Sequence, residues 1–212
     1  MTGPKLYSLP VNTNGRRVLL ESDLNPDPRA QFRIWLDEAT RAGEPLPSAM
    51  AVATSNGMGT PSVRMLLLED VDERGFLFHT HLDSPKVHDL QVRPYVAATF
   101  HWPLLVRSVR VSGYVELLTR GEVARYFALV PTGIQGMLRA CHQSQVIPDR
   151  ETLEHIVEQA SDHVSTDVPL HWGGFRILPD WIEFWQGHDD WLQDRLRYTR
   201  SLENWKIERL VP

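Results

Sequence analysis

The stretch that runs from WGGF at residues 172–175 through IEFWQG at 182–187 to DWLQDRLRY at 190–198 contains four of the chain's seven tryptophans. Aromatic faces beside arginine and carboxylate side chains can hold a flat ligand with polar edges, because the ring stacks while the charged groups bind its edges. The same pattern is typical of a β-hairpin whose aromatic side chains fill a core, and composition alone favours this second interpretation. The remaining sequence is needed to choose between the two.

The bulk composition is typical of one globular domain, since the chain has 212 residues, of which 42% are hydrophobic and 23% charged. A net charge of −5 argues against a nucleic-acid partner. The single cysteine, Cys141, excludes an internal disulfide and fits reducing, cytoplasmic surroundings. No apolar run is long enough to span a membrane, so we expect no membrane partner. The nine histidines show no metal-ligand spacing, and we therefore expect no metal site.

The chain divides into a polar arm and one predicted domain. Residues 1–26 predict a flexible N-terminal arm, and residues 27–212 predict a single domain. Asp27 followed by Pro28 predicts a helix start, and Gly43 predicts the end of that helix. Cap residues and apolar spacing predict further helices at three places: after Ser84, over 121–129, and after Asp149.

Short apolar or alternating runs predict a series of strands. They lie at 49–54, 62–68, 75–80, 95–102, 106–117, 174–178, 181–185, 192–199 and 205–210. About eight strands joined by turns, with helices inserted, predict a mainly β (α+β) fold built on a closed or nearly closed barrel.

One helix start carries a possible anion site. Lys86 follows Ser84 and Pro85, and the free N–H groups at a helix N-terminus attract anions. A neighbouring arginine would complete a phosphate cradle. Taken alone, the motif is more often a solvated lysine on a connecting helix.

Seven dispersed motifs, taken together, resemble the pyridoxamine 5′-phosphate oxidase family from about Asp27 to Pro212. They are RMLLL at 64–68, GFLFHT at 75–80 leading to SPK at 84–86, QS at 143–144, WGGF at 172–175, IEFWQG at 182–187, DRLRY at 194–198 and ERLVP at 208–212. The resemblance implies an FMN-binding split β-barrel, assembled as a homodimer with two FMN molecules at the subunit interface.

The resemblance also implies cofactor-binding residues. Arg64 and Lys86 match the ligands of the FMN phosphate, and two cations at a helix start suit a dianion. Trp185 and Arg195 match positions at the flavin ring, where Arg195 could stabilise negative charge. Thr80, Gln143 and Ser144 match hydrogen-bonding positions. The other implied cofactor positions are Met65, Leu66, Leu67, Leu68, His79, Ser84 and Ser108.

The substrate positions depart from the family pattern. Glu69 stands where the family usually has a lysine that contacts substrate. Tyr126 is retained, but the arginine and serine that bind the substrate phosphate are replaced by Val130 and Ile134. Burying a phosphate monoester without paired donors costs on the order of several kcal/mol. We therefore hypothesise that the substrate is not phosphorylated.

Two further departures from the family pattern concern the residues expected beside the substrate ring and those expected to bind the cofactor. An Arg-x-His pattern that binds pyridoxal phosphate is replaced by Trp191-Leu-Gln193, and Trp191 could stack on an aromatic substrate. Pro85 and Ser108 replace a family arginine and a glutamine that contacts flavin. The flavin positions are thus largely retained, whereas the substrate-phosphate positions are not.

The leading hypothesis is an FMN-dependent oxidase that transfers a hydride from a flat aromatic or amine substrate to flavin, with O2 reduced to H2O2. Such a substrate indicates natural-product biosynthesis, as in the phenazine branch of the family. The candidate catalytic residues on the substrate side are Glu69, Tyr126, Trp191 and Gln193, with His79 beside them. Two alternatives stay open: a pyridoxine/pyridoxamine 5′-phosphate oxidase with an unusual pocket, and a flavin-binding protein without turnover.

Overall fold

The computed structural model describes residues 18–161, 167–202 and 204–212. Within them the helices are α1 (Pro28–Arg41), α2 (Pro85–Val92), α3 (Arg120–Phe127), α4 (Thr132–Ala140) and α5 (Arg150–Ser161), and a 3-10 turn spans Glu21–Asp23. The strands are β1 (Ala49–Ser55), β2 (Pro61–Leu67), β3 (Asp70–Val71), β4 (Phe76–His81), β5 (Tyr95–Trp102), β6 (Arg107–Leu117), β7 (Trp172–Gln186), β8 (Asp194–Ser201) and β9 (Asn204–Arg209).

The strands form one sheet in the order β2-β1-β5-β6-β7-β4-β3, with β8 pairing with β7 and β9. Strand β7 pairs antiparallel with both β4 and β8. In these ladders His79 lies opposite Gly174, and Trp185 lies opposite Arg195. This architecture, helices around a mainly antiparallel sheet, confirms the predicted mainly β (α+β) fold class.

The structure differs from the sequence predictions at two places. The sequence predicts separate strands on either side of Pro179, whereas β7 is continuous over Trp172–Gln186. Residues 172–177 pair with β4 and residues 181–186 with β8, so Pro179 lies between these two ladders and its missing N–H removes no bond from either. The second place is α4, which the sequence did not predict: Pro131 is the N-cap of this helix, where the missing proline N–H removes no intrahelical hydrogen bond.

Contacts between Cα atoms divide the chain into two compact units. In the described chain, the first unit comprises 18–52, 97–113, 179–202 and 204–212, and the second comprises 53–96, 114–161 and 167–178. The single domain over 27–212 stays a prediction.

The first unit has an aromatic core under α1. Asp27 caps this helix, as predicted, because its carboxylate accepts a hydrogen bond from the Arg29 backbone N–H. Helical spacing then places Phe32 and Trp35 on one face. The Phe32 ring lies 4.7 Å from that of Phe100, and the Trp35 ring lies 5.1 Å from that of Phe184. These edge and tilted contacts hold α1 on β5 and β7.

The end of the predicted N-terminal arm is bound to the last two strands. The Leu19 N–H donates to Asp194 Oδ2 at 2.8 Å, and Arg209 donates to the Leu19 carbonyl at 2.7 Å. Tyr198 donates to the Asn25 carbonyl at 2.6 Å. The first seventeen residues of the arm lie outside the described residues.

The second unit has its core between β4 and β7. The rings of Phe78 and Phe175 stack at 5.7 Å, and Leu77, Leu118 and Val123 form a buried cluster beside Tyr126. Arg176 on β7 is buried among carboxylates and binds Asp72, Glu116 and Glu122 within 2.8 Å. This ion cluster ties the turn before β4 to the end of β6 and the start of α3.

Candidate functional site

An anion cradle in the second unit is formed by five of the predicted cofactor residues: Arg64, Thr80, Ser84, Lys86 and Gln143. The Lys86 ammonium is nearly closed from solvent, with 5% of the residue exposed. It donates to the hydroxyl oxygens of Thr80 and Ser84, each at 2.9 Å, and to the side-chain oxygen of Gln143. The cradle therefore joins β4, the start of α2 and the segment between α4 and α5.

The local sequence explains how Lys86 enters the cradle. Ser84 is the N-cap of α2 in an extended conformation, and Pro85 occupies the first helical position. The Ser84 hydroxyl does not cap the helix but donates to the His81 carbonyl at 2.7 Å. Its oxygen is therefore free to accept from Lys86 at the first turn of the helix.

Arg64 provides the second cation. Its guanidinium donates to Thr54 Oγ1 at 2.8 Å and to Ser62 Oγ at 3.0 Å, and the Thr54 hydroxyl in turn donates to Asp89 at 2.6 Å. Burial, followed by the positive charge of Arg64, lowers the pKa of Lys86 to about 8. Burial also lowers the pKa of Arg64.

These contacts fit a phosphate group. Among the residues that the structure describes, the buried Lys86 ammonium donates hydrogen bonds only to neutral oxygens, and the charge with the largest effect on its pKa is that of another cation, Arg64. An anion at this position would relieve both the repulsion and the lost hydration of Lys86. The donor set is the one that phosphate-binding sites use.

The remaining cofactor positions of the second unit differ in burial. Leu68 is buried and Leu66 half-buried, whereas Met65 and Leu67 are exposed by 64% and 56%. Ser144 is exposed, has a positive φ of 72°, and makes no side-chain hydrogen bond within the described residues. The structure therefore brings Gln143 into the cradle but not the side chain of Ser144.

Three predicted residues meet around His79. The His79 Nδ1 atom lies 3.9 Å from the Glu69 carboxylate, and its ring is 5.1 Å from that of Tyr126 and stacked on Trp172. The opposite residue, Gly174, has to be glycine, because a Cβ there would lie 2.7 Å from the His79 ring. His79 Nε2 is buried without a hydrogen-bond partner in the described structure.

Tyr126 is bound to a carboxylate. Its hydroxyl donates to Asp70 Oδ2 at 3.0 Å. Burial and then this hydrogen bond raise the pKa of Tyr126 to about 12. The group is therefore neutral over the physiological pH range, and its proton points at an acid.

A cavity of about 420 Å3 lies in the first unit, and we call it the ring cavity because it includes the positions predicted at the flavin ring. Four predicted residues line it, namely Ser108, Trp185, Gln193 and Arg195, together with His101, Arg110, Glu183 and Pro212. Trp191 is not among these residues; it is 54% exposed and has a positive φ of 64°. The cavity thus combines one aromatic face with several polar groups.

Glu183 is the charged centre of this cavity. The residue is 3% exposed, and its carboxylate accepts from Arg195 Nε at 3.0 Å and lies 3.6 Å from Arg110. Arg195 also donates to the Val211 carbonyl at 2.9 Å. A methyl group on Gly187 would lie 2.8 Å from the Trp185 ring, so glycine permits the tryptophan to occupy this position.

The sequence reasoning missed Arg110 and Glu183, although a signal for both was present. Alternate residues of a strand share a face, which places Arg110 beside Ser108 and Glu183 beside Trp185. The predicted flavin residues therefore indicated their strand neighbours.

The described residues contain neither a metal-ligand cluster nor a membrane-spanning helix. No group of three or more histidine, cysteine, aspartate or glutamate side chains is placed to hold a metal ion. No described helix is both long and apolar enough to cross a membrane.

Two family models match the chain. A family model described as pyridoxamine 5′-phosphate oxidase matches residues 36–163. A second, described as the pyridoxine 5′-phosphate oxidase C-terminal dimerisation region, matches residues 172–212.

Curated relatives match over nearly the whole chain. A pyridoxine/pyridoxamine 5′-phosphate oxidase of Burkholderia cenocepacia (strain HI2424) is 45% identical, covering 98% of this chain and 99% of the relative. One of Gloeothece citriformis (strain PCC 7424) is 44% identical, covering 92% of each.

Solved structures show the same fold. PhzG from Burkholderia lata 383, in complex with tetrahydrophenazine-1-carboxylic acid, superposes with a TM-score of 0.87 at 29% identity, covering 92% of this chain and 98% of that one. An FMN-binding protein of Nostoc punctiforme PCC 73102 has a TM-score of 0.70 at 16% identity, covering 85% of this chain and 97% of that one, which shows the fold alone. By its two family-model matches and its curated relatives, the chain belongs to the pyridoxamine 5′-phosphate oxidase family.

Proposed function

We propose that the chain is an FMN-dependent oxidase. The observation that carries the proposal is the buried Lys86 ammonium, which lies beside the Arg64 charge; within the described residues this ammonium donates hydrogen bonds only to neutral oxygens. Such a group needs an anion, and the FMN phosphate is the anion that the family implies. Trp185 and Arg195, which line the ring cavity, would face the flavin ring.

The bound cofactor would supply the redox chemistry by accepting a hydride from substrate and passing two electrons to O2, which takes up two protons and becomes H2O2. The protein residues bind, orient and exclude water. We propose that the chain forms a homodimer through its C-terminal region and binds FMN at the subunit interface.

We further propose that the substrate carries no phosphate. Tyr126 is retained beside the two replaced phosphate-binding positions, but its hydroxyl is bound to Asp70, and Asp70 and Asp72 both raise its pKa. A phosphate monoester placed there would meet carboxylates, and the two lost donor positions are the apolar Val130 and Ile134. Like charges at close range disfavour binding.

The substrate class that fits is a flat, reduced heteroaromatic compound or an amine. Glu69 beside His79 could take the proton that the substrate loses together with the hydride. Trp191 and Gln193 are the proposed substrate contacts on the ring side. Because PhzG binds tetrahydrophenazine-1-carboxylic acid, a compound of this class is the first candidate, and natural-product biosynthesis is the proposed setting.

The second candidate function is oxidation of pyridoxine or pyridoxamine 5′-phosphate. The observation that favours it is the 45% identity to relatives with that name. Flavin binding without turnover is the third possibility.

One experiment separates the three. The FMN-loaded protein is mixed with each candidate without oxygen, and the loss of flavin absorbance is followed; oxygen is then admitted and H2O2 measured. Fast reduction by the reduced heteroaromatic compound, with slow reduction by pyridoxamine 5′-phosphate, supports the proposal. The reverse order assigns the family's usual substrate, and no reduction by any candidate supports a binding protein.

A further inference from the structure

A histidine cluster lies next to the anion cradle in the second unit. The rings of His81 and His171 are nearly parallel at 5.4 Å, and the His142 ring lies 4.6 Å from that of His171. His171 donates from Nε2 to the Leu138 carbonyl at 2.9 Å, and its own carbonyl accepts from the Leu82 N–H at 2.6 Å. His171 therefore connects three segments that are distant in the sequence.

Asp83 joins this cluster from the turn before α2. Its Oδ2 atom lies 2.5 Å from His142 Nδ1, and since a carboxylate oxygen accepts, the imidazole donates. This hydrogen bond is the main cause that lowers the pKa of Asp83. The pair links residues 141–145 directly to the turn that carries Ser84.

Gln143 follows His142 in the chain and reaches the cradle with its side chain. The residue is exposed, yet its side-chain oxygen accepts from Lys86 and lies 3.3 Å from the Thr80 hydroxyl. The backbone turns sharply here, with the Gln145 N–H donating to the His142 carbonyl and Ser144 at a positive φ of 72°. An anchor on His142 therefore limits where Gln143 can lie.

We propose that Asp83 and His142 are positioning residues of the anion cradle: their contact holds the 141–145 segment so that Gln143 lies on Lys86, and it thereby sets the affinity for the FMN phosphate. The inference rests on the proposed binding of FMN. The family resemblance concerns Gln143 and Ser144, whereas the Asp83–His142 contact is a feature of this chain's own residues.

The charges around the pair are consistent with this role. The groups that face it are His81, His171 and Lys86, and burial lowers the pKa of His81, which favours its neutral form. The contact is half exposed, with side-chain exposures of 51% for His142 and 37% for Asp83. It therefore contributes little to the free energy of unfolding, and its main effect is to position the 141–145 segment.

The test measures binding of FMN and of riboflavin, which lacks the phosphate, to the flavin-free protein by flavin fluorescence. Asp83→Ala and His142→Ala should each weaken FMN binding by roughly five- to tenfold, the value of one well-placed hydrogen bond. Riboflavin affinity should not change. Asp83→Asn, which retains an acceptor oxygen, should lose about twofold.

A mutant cycle shows whether the pair acts through Gln143. In a Gln143→Ala background, Asp83→Ala should produce no further loss of FMN affinity, because the group that it positions is already absent. His155→Ala is the matched control, since His155 is an exposed histidine on α5 bonded only to Gln159 among the described residues.

The outcomes are distinct. Wild-type FMN affinity in Asp83→Ala, or a loss that adds fully to that of Gln143→Ala, overturns the positioning role and leaves the proposed function intact. A wild-type protein that does not bind FMN overturns both proposals. If Asp83→Ala does not fold by circular dichroism, the same cycle is run with Asp83→Asn.

Discussion

Lys86 donates a 2.9 Å hydrogen bond to the hydroxyl of Thr80 in a position nearly closed from solvent, while the charge of Arg64 opposes its own. The contact joins the first turn of α2 to β4. Burying a cation without a bound anion lowers the free energy of unfolding, so Lys86 destabilises the flavin-free protein. The first two predictions follow from this relationship.

Replacement of Lys86 should stabilise the flavin-free protein near neutral pH. The folded-state pKa of about 8 lies below the ordinary 10.5, so the unfolded chain holds this proton more tightly. The charged Lys86 therefore lowers the free energy of unfolding by roughly 3 kcal/mol. This destabilisation is fully present below pH 8 and is lost as the pH rises to about 10.5. Urea unfolding should therefore show Lys86→Met to be more stable than wild type at pH 7 and equal to it near pH 10.5. The control is Lys206→Met, which replaces an exposed lysine and should leave the free energy of unfolding nearly unchanged at both pH values. Equal stabilities of Lys86→Met and wild type at pH 7 would contradict the prediction.

FMN affinity should depend on pH through the same group. Above pH 8 the free site has lost its Lys86 proton, and phosphate binding has to recover it, so affinity should fall by up to about tenfold per pH unit. Riboflavin binding, without a phosphate, should stay constant, and so should FMN binding to Lys86→Met. Titrations of the flavin-free protein between pH 7 and pH 9.5 measure this. A pH-independent FMN affinity in the wild type would show that Lys86 does not bind the phosphate.

Arg176 should be essential for stability although it lies outside the proposed site. Its buried guanidinium binds three carboxylates, of which only Glu116 has a second arginine partner, Arg74, among the described residues. Arg176→Met would leave Asp72 and Glu122 without an arginine and should lower the free energy of unfolding by about 3–5 kcal/mol at pH 7. Arg176 is the main cause that lowers the pKa of Glu122 to about 2, so this stabilisation is present above pH 4.5 and disappears as the pH falls towards 2. Denaturant unfolding at pH 7 and pH 3 should show the difference from wild type shrinking.

The matched control for Arg176 is Arg74→Gln. Arg74 also binds Glu116, at 2.5 Å, but its side chain is 57% exposed. Arg74→Gln should therefore lower the free energy of unfolding by less than about 1 kcal/mol. Similar losses for the two arginines would mean that burial does not determine the strength of these ion pairs.

The substrate proposal predicts a gain of function. Val130→Arg combined with Ile134→Ser restores a cation and a hydroxyl where the family binds the substrate phosphate, so KM for pyridoxamine 5′-phosphate should fall by about tenfold or more. Turnover of a non-phosphorylated substrate should not improve. Leu129→Arg, which adds the same charge at an exposed neighbouring position, should have no such effect. A double variant with unchanged KM would place the substrate phosphate elsewhere.

The sequence predicted the fold class well because periodicity and cap chemistry act locally. The Asp27–Pro28 start of α1 and the alternation of β6 appear directly in the structure. The same local rules were wrong at Pro179, where sheet pairing removes the usual cost of proline, and they did not predict α4, which begins after Pro131. Proline signals a boundary only if its missing N–H is needed.

The site was less accessible from sequence. Lys86 and Arg64 were weak signals alone, and only the family resemblance joined them, because they lie on separate elements. The cluster of His81, His142 and His171 gave no signal, since its members come from three distant segments with no common spacing. The structure was needed to show which of the nine histidines lie together.

The central claim is an FMN-dependent oxidase whose substrate is not phosphorylated, and anaerobic reduction of the FMN-loaded protein tests it most directly. We predict rapid loss of flavin absorbance with a reduced heteroaromatic acid such as tetrahydrophenazine-1-carboxylic acid, and at least tenfold slower loss with pyridoxamine 5′-phosphate at equal concentration, a difference of roughly 1.4 kcal/mol in barrier. Faster reduction by pyridoxamine 5′-phosphate would contradict the account and assign the chain the usual substrate of its family.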